Sequence, residues 1–299
     1  MNNALDDIKK NFQPYRLTKK KNITIIESTK GSYVIKEKEN NHIDEAYVYL
    51  KSRNFDCFPN ILEELRSDIN IFEYIEEIPT PREQKALDLM EIVASLHNKT
   101  TYYKEITPDK YKEIFENISN NINYTKNYYD NLYNILIEEI YPSPSHYLLL
   151  RNIYKIFEAL DYASSRLEDW YEENKETLKE RVVLNHNNLE TDHFIKSQKS
   201  VLISWDKAKI DTPILDLITF YQKEYQNYNF EPLIKTYLKN YPLKDNELNL
   251  FFIVISIPPI INIDSNELEK TKIISEKLDY IFKTENLIKS LSPNDGEDK

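Results

Sequence analysis

Two neighbouring stretches decide the reading of the fold: "VVLNHNNLETDHF" (182–194) and "VLISWDKAKIDTPILDL" (201–217). In the first, an apolar β-branched run, "RVVL" (181–184), reads as a strand that feeds a polar loop. The loop leads into a second strand-like run, "HFIKS" (193–197). A turn at Gln198–Lys199 joins it to "VLISW" (201–205). Asp211-Thr212-Pro213 then opens a helical pattern, with proline at a helix start. A strand, a polar loop, a short hairpin and a helix thus follow one another.

Before this segment the pattern falls into two parts. "NITIIES" (22–28) and "SYVIKEK" (32–38) flank "TKG" and predict a hairpin with Gly31 at its turn. "HIDEAYVYLKSRN" (42–54) predicts a helix and "INIFEYIEE" (69–77) a strand. From Thr80 the period changes. Thr80-Pro81-Arg82-Glu83 has the form of a capping box, and Leu87, Met90, Val93 or Ala94, and Leu96 follow at helical spacing. Helical text covers about 108–178, broken at "YPSPSH" (141–146), and resumes from 213 to about 292. "LFFIVISIPPII" (250–261) reads as a buried helix ended by proline, and the tail "SPNDGEDK" (292–299) as frayed. The expectation is an α+β protein of two lobes: 1–78, β-rich with one helix, and 79–299, mainly helical and containing the polar loop.

Composition narrows the chemistry. Only two of 299 residues are glycine, where average usage is about 7%. A Walker loop or a dinucleotide fingerprint needs several glycines at fixed spacing, so a phosphate grip has to come from side chains or helix ends. The net charge of −11 argues against nucleic acid or an anionic membrane surface as partner. Cys57 is the single cysteine, and the five histidines show no close-spaced metal motif, which argues against a zinc site. The opening "MNNALDDIKKNF" has no apolar core of a signal peptide. The longest apolar run, 250–263, is too short for a membrane span. A cytoplasmic protein is the expectation.

The order of these segments resembles the protein-kinase-like phosphotransferases of small molecules: aminoglycoside phosphotransferases, choline kinases and the kinase-like proteins associated with bacterial spore coats. Lys36 in "YVIK" matches the strand lysine that pairs with nucleotide phosphates, and Glu45 in "DEAYVYL" its helix partner. "IFEYIEE" (71–77) matches the strand and linker that hold adenine through the backbone, which points to Glu73, Tyr74 and Ile75. "IVASLHNKT" (92–100) matches the helix ending in Leu-His. "LNHNNLETDHFI" (184–195) matches the catalytic loop, "LISWD" (202–206) the metal-binding strand end and "DTPILDL" (211–217) the helix that follows. The resemblance implies ATP and magnesium as cofactors and a small hydroxyl- or amine-bearing substrate.

Against that pattern three positions depart. Counting from His186, the place of the catalytic aspartate holds Asn188, the place of the metal-binding asparagine holds His193, and the metal-binding aspartate is replaced by Ser204. An amide cannot accept a proton, and a general base contributes about 10²- to 10⁴-fold. Magnesium prefers oxygen ligands to imidazole. "YRLTKKKN" (15–22), at the place of the glycine-rich cover, has three lysines and no glycine. Asp206 matches a second acid of the family and Asp216 the aspartate that braces the loop. His186 reads as structural, packing under the metal strand. His193 reads as a loop histidine with a backbone partner. Asp192 reads as a solvated turn residue or as a displaced base or metal ligand, and Trp205 as a core residue between the lobes. Two functions stay open. One is a pseudokinase, binding nucleotide weakly or not at all and serving as a binding or scaffold protein for a small molecule or a protein. The other is an active phosphotransferase using a rearranged site around Asp206, with Ser204 and His193 as further metal ligands.

Overall fold

The computed structural model of the chain describes residues 10–20, 23–38, 42–62, 69–107, 109–262 and 264–292. The tail 293–299, the opening residues 1–9 and Lys21 and Asn22 of the lysine-rich segment lie outside them. The chain falls into two compact units, Met1–Ile92 with Glu190–Ala208, and Val93–Leu189 with Lys209–Lys299. It is α+β, with an antiparallel sheet near its beginning and helices dominating the rest.

In the first unit, strands β1 (Pro14–Lys20), β2 (Ile23–Ser28), β3 (Gly31–Glu37) and β4 (Ile69–Glu73) form one antiparallel sheet in that order. The predicted hairpin is β2–β3. Gly31 takes φ +133° at its turn, a conformation open to glycine and costly for other residues. The Ser28 hydroxyl donates to the Gly31 carbonyl across the turn. Alternation gives the sheet two faces. Ile26, Ile35, Ile69 and Ile71 form a buried cluster on one of them. Helix α1 (His42–Ser52) buries Ile43, Ala46, Tyr47 and Leu50, a single helical stripe. The residues 190–208 add the short hairpin β7 (Phe194–Ile195) and β8 (Val201–Leu202). Trp205 packs inside this unit: its ring meets Phe55 edge-on and its indole N–H donates to the Leu202 carbonyl.

Helix α2 (Arg82–Thr100) begins one residue later than the capping-box reading required. Thr80 does not cap it; its hydroxyl donates back to the Ile78 carbonyl. The first helical bond runs from the Lys85 N–H to the Pro81 carbonyl, so Pro81 and not Thr80 stands at the helix start.

In the second unit, strand β6 (Lys179–Asn185) lies between β5 (Tyr102–Glu105) and β9 (Lys209–Asp211), two short strands that the sequence pattern did not show. Helices α3 (Asp109–Leu136) and α4 (Pro144–Asn174) correspond to the interrupted helical text. Ser143 caps α4 and Pro144 occupies its first turn. Helix α4 packs against α3, α7 (Asp245–Ser256) and α8 (Glu267–Leu291), while α5 (Ile214–Glu224) and α6 (Phe230–Asn240) complete the bundle. The first seven residues of the apolar run, Leu250–Ser256, form the buried second half of α7, which ends before Pro258 and Pro259. The carbonyls past its end are not left bare. Tyr129 donates to the Pro259 carbonyl and Tyr128 to that of Ile261. The buried Tyr129 and the half-buried Tyr128 are thus satisfied at their polar tips.

Candidate functional site

The first unit holds a cleft of about 240 Å³ on the sheet face opposite the isoleucine cluster. Ile23, Ile25, Val34, Lys36 and Phe72 line it from the sheet, and Ile43 and Tyr47 from α1. Glu73, Tyr74 and Ile75, the predicted linker residues, form its edge, and Ser204 and Trp205 also line it. Four of the predicted nucleotide-binding residues therefore share one cleft with Ser204. Glu45 does not join them: it lies exposed on α1.

Lys36, on the cleft wall, has its ammonium paired with Asp206. The helix residue that turns inward is Tyr47, one turn after Ile43. Burial pushes the Tyr47 hydroxyl pKa up, with further upward pressure from the charges of Asp206, Asp44 and Glu73. Tyr47 is thus a neutral group facing acids. Its place on the apolar stripe of α1 was the available signal. Ser204 adopts a left-handed backbone, φ 67° and ψ 50°, a conformation in which Asn, Asp and Gly are the common residues.

The linker backbone is only partly used. Glu73 N–H donates to the Asn60 carbonyl and Tyr74 N–H to the Ser32 carbonyl. The Glu73 carboxylate accepts from the backbone and side-chain amides of Asn60. Among the described residues no partner engages the Ile75 N–H. Ile75 itself lines the apolar slot.

The polar loop after β6 belongs to the second unit up to Leu189, and Asp216 organises it. The Asp216 carboxylate is fully buried. It accepts from His186 N–H at 2.8 Å and Asn187 N–H at 2.6 Å, and it bonds His97 Nε2 at 3.1 Å. His97 Nδ1 in turn meets the Tyr237 hydroxyl at 2.7 Å. Asn187 sits at φ 56°, a left-handed position that asparagine tolerates. His186 is buried. At Asn188 the side-chain oxygen accepts from Lys223 of α5 at 3.0 Å. His97, Tyr237 and Lys223 were not singled out individually by the sequence; only the Leu-His of 96–97 marked this network.

The remaining candidates lie in the first unit. Asp192 is exposed in a single helical turn, Thr191–His193. His193 donates its N–H to the Glu190 carbonyl and accepts from Ile203 N–H at its carbonyl. Among the described residues no three His, Cys, Asp or Glu side chains converge as a metal site. Asp206 contributes one carboxylate, and the Lys36 ammonium on it opposes a second cation. This donor set does not by itself fit a resident magnesium, which asks for near-octahedral oxygen coordination.

Among solved structures, the chain is similar to an aminoglycoside phosphotransferase from Alicyclobacillus acidocaldarius. The TM-score is 0.68 at 11% identity, covering 93% of each chain. The chain has the fold of the protein-kinase-like phosphotransferases. The same kinase-like fold relates it to a spectinomycin phosphotransferase with AMP bound, at TM-score 0.54 and 13% identity, covering 94% of this chain and 98% of the other. No protein-family model and no curated protein matches the sequence. Among the described residues no helix of the kinase-like fold is long and apolar enough to cross a membrane.

Proposed function

We propose that this kinase-like protein binds an adenine nucleotide in the cleft of its first unit and transfers phosphate poorly or not at all, acting as a pseudokinase. The observation that carries the proposal is Asn188. It stands at the position where the resemblance expects the catalytic base, and its amide oxygen is already engaged by Lys223. An amide has no basic lone pair to offer a substrate hydroxyl. The cleft supports the binding half of the reading. It joins an apolar slot to Lys36 and to a linker with an available Ile75 N–H. The related spectinomycin phosphotransferase holds AMP. The loop frame, held by Asp216 through His186 and Asn187, supports descent from a working site whose chemistry is missing.

A second reading rests on the Lys36–Asp206 pair. An acid paired with the strand lysine of the cleft is what a rearranged phosphotransferase would use for a metal-bound nucleotide and a small hydroxyl- or amine-bearing substrate. One experiment separates the two. The protein is incubated with ATP, magnesium and a panel of aminoglycosides, amino alcohols and sugars, and phosphorylated product is measured. The proposal predicts none above background. Robust product that disappears in Asp206→Ala selects the second reading. A scaffold role with a protein partner, and a place in a spore coat, rest on the resemblance alone.

A further inference from the structure

We infer that Lys20 is a phosphate-binding residue of this cleft, a side-chain replacement for the absent glycine loop. The inference rests on the nucleotide reading above and assigns a residue that the resemblance does not supply.

The observation is a row of residues across the sheet. Lys20 pairs with Ile23, Ile23 with Lys36, and Lys36 with Asn70. Directly opposed residues in an antiparallel sheet point to the same face. Ile23 and Lys36 line the cleft, so Lys20 projects from the cleft face as well. Lys19 pairs with Thr24, so alternation puts it on the opposite face, that of the isoleucine cluster. Lys20 is exposed, and among the described residues no carboxylate pairs with it. Strands lie about 4.8 Å apart, so the Lys20 and Lys36 backbones are about 10 Å apart across Ile23. Two lysine side chains close that gap over one anionic group.

The charge balance of the cleft gives Lys20 its task. Lys36 is compensated by Asp206, and Glu73 adds a further carboxylate at the edge. Arg16 and Glu27 compensate one another. Without Lys20 these groups sum to a negative charge, which would repel a polyphosphate. Glycine loops bind phosphate through backbone N–H groups. Here the sequence from β1 to the start of β2 carries no glycine, and an ammonium on the cleft face is the available substitute.

Affinities of the full chain for ATP and adenosine, measured by isothermal titration calorimetry, test this. Variants are Lys20→Gln, Lys20→Arg and Lys19→Gln, the last an equal charge change on the opposite face. Lys20→Gln is expected to weaken ATP about ten-fold, the size of one charge-assisted contact. Adenosine binding stays unchanged, Lys20→Arg retains ATP affinity, and Lys19→Gln changes it less than about two-fold. The inference alone is overturned if adenosine binds but wild-type ATP is no tighter. It is also overturned alone if Lys20→Gln and Lys19→Gln have equal effects. If neither adenosine nor ATP binds, the nucleotide reading falls and the inference falls with it.

Discussion

Replacing Asp216 with Asn should weaken the protein by about 2–4 kcal/mol, although the two side chains have nearly the same shape. The carboxylate accepts from the His186 and Asn187 N–H groups on separate oxygens and also bonds His97. An amide offers one acceptor oxygen and one N–H₂ donor. In one orientation the Asn187 N–H faces a donor; in the other, the His186 N–H and His97 do. The first is cheaper. It forfeits one hydrogen bond to a charged acceptor, about 1.5–3 kcal/mol, and weakens the two that remain from charged to neutral strength. Relief of the buried charge offsets part of this. The measurement is urea denaturation followed by circular dichroism, with thermal unfolding as a second reading. At about 2–4 °C per kcal/mol for a domain of this size, the midpoint falls by roughly 5–15 °C. Amide exchange at His186 and Asn187 should accelerate as well. A loss below about 0.5 kcal/mol with unchanged exchange would refute the claim that Asp216 holds the loop.

Asn70 is 2% exposed, and among the described residues neither of its side-chain polar atoms has a partner. Asn70→Val should therefore stabilise the chain by about 1–2 kcal/mol in urea denaturation, because an unpaired buried amide costs about that much; a loss of stability would indicate that the amide is satisfied. The triple variant Asn188→Asp, His193→Asn, Ser204→Asp should gain magnesium-dependent stabilisation by ATP in a thermal-shift titration. Ser204 already has the left-handed backbone that aspartate accepts, so a folded variant with no gain would mean that these residues do not stand at the catalytic and metal-binding positions or that the cleft is closed. Glu267 accepts from Ser145 N–H, which lowers its pKa from 4.5 to about 2. A depressed carboxylate contributes stability above about pH 4.5 that is lost as pH falls toward 2. Glu267→Gln should flatten the stability profile across that window, and an unchanged slope would contradict the assignment.

Much of the fold was legible because its signals are local. The β2–β3 hairpin announced itself through alternation and Gly31, and α7 through an apolar run stopped by two prolines. β5 and β9 were not legible, since strands of four and three residues gain their pairing only from β6, which is distant in sequence. The cleft was legible in part. Lys36, the linker and Ser204 came from the order of motifs, whereas the pairing of Lys36 with Asp206 joins residues far apart in the chain. Glu45 was the helix acid that the resemblance implied as the partner of Lys36, but helical phase turns Tyr47 inward instead. The row that carries Lys20 depends on strand register, which a sequence pattern alone does not fix.

The proposed pseudokinase holds a nucleotide in its kinase-like fold without transferring the phosphate. ³¹P NMR of ATP with the wild-type protein, magnesium and the substrate panel tests both halves in one observation. The ATP resonances should broaden as protein is added while the γ-phosphate signal keeps its integrated intensity over hours. Sharp, unperturbed resonances would contradict the binding claim, and growth of ADP with a phosphorylated product would contradict the claim that the site lacks its chemistry.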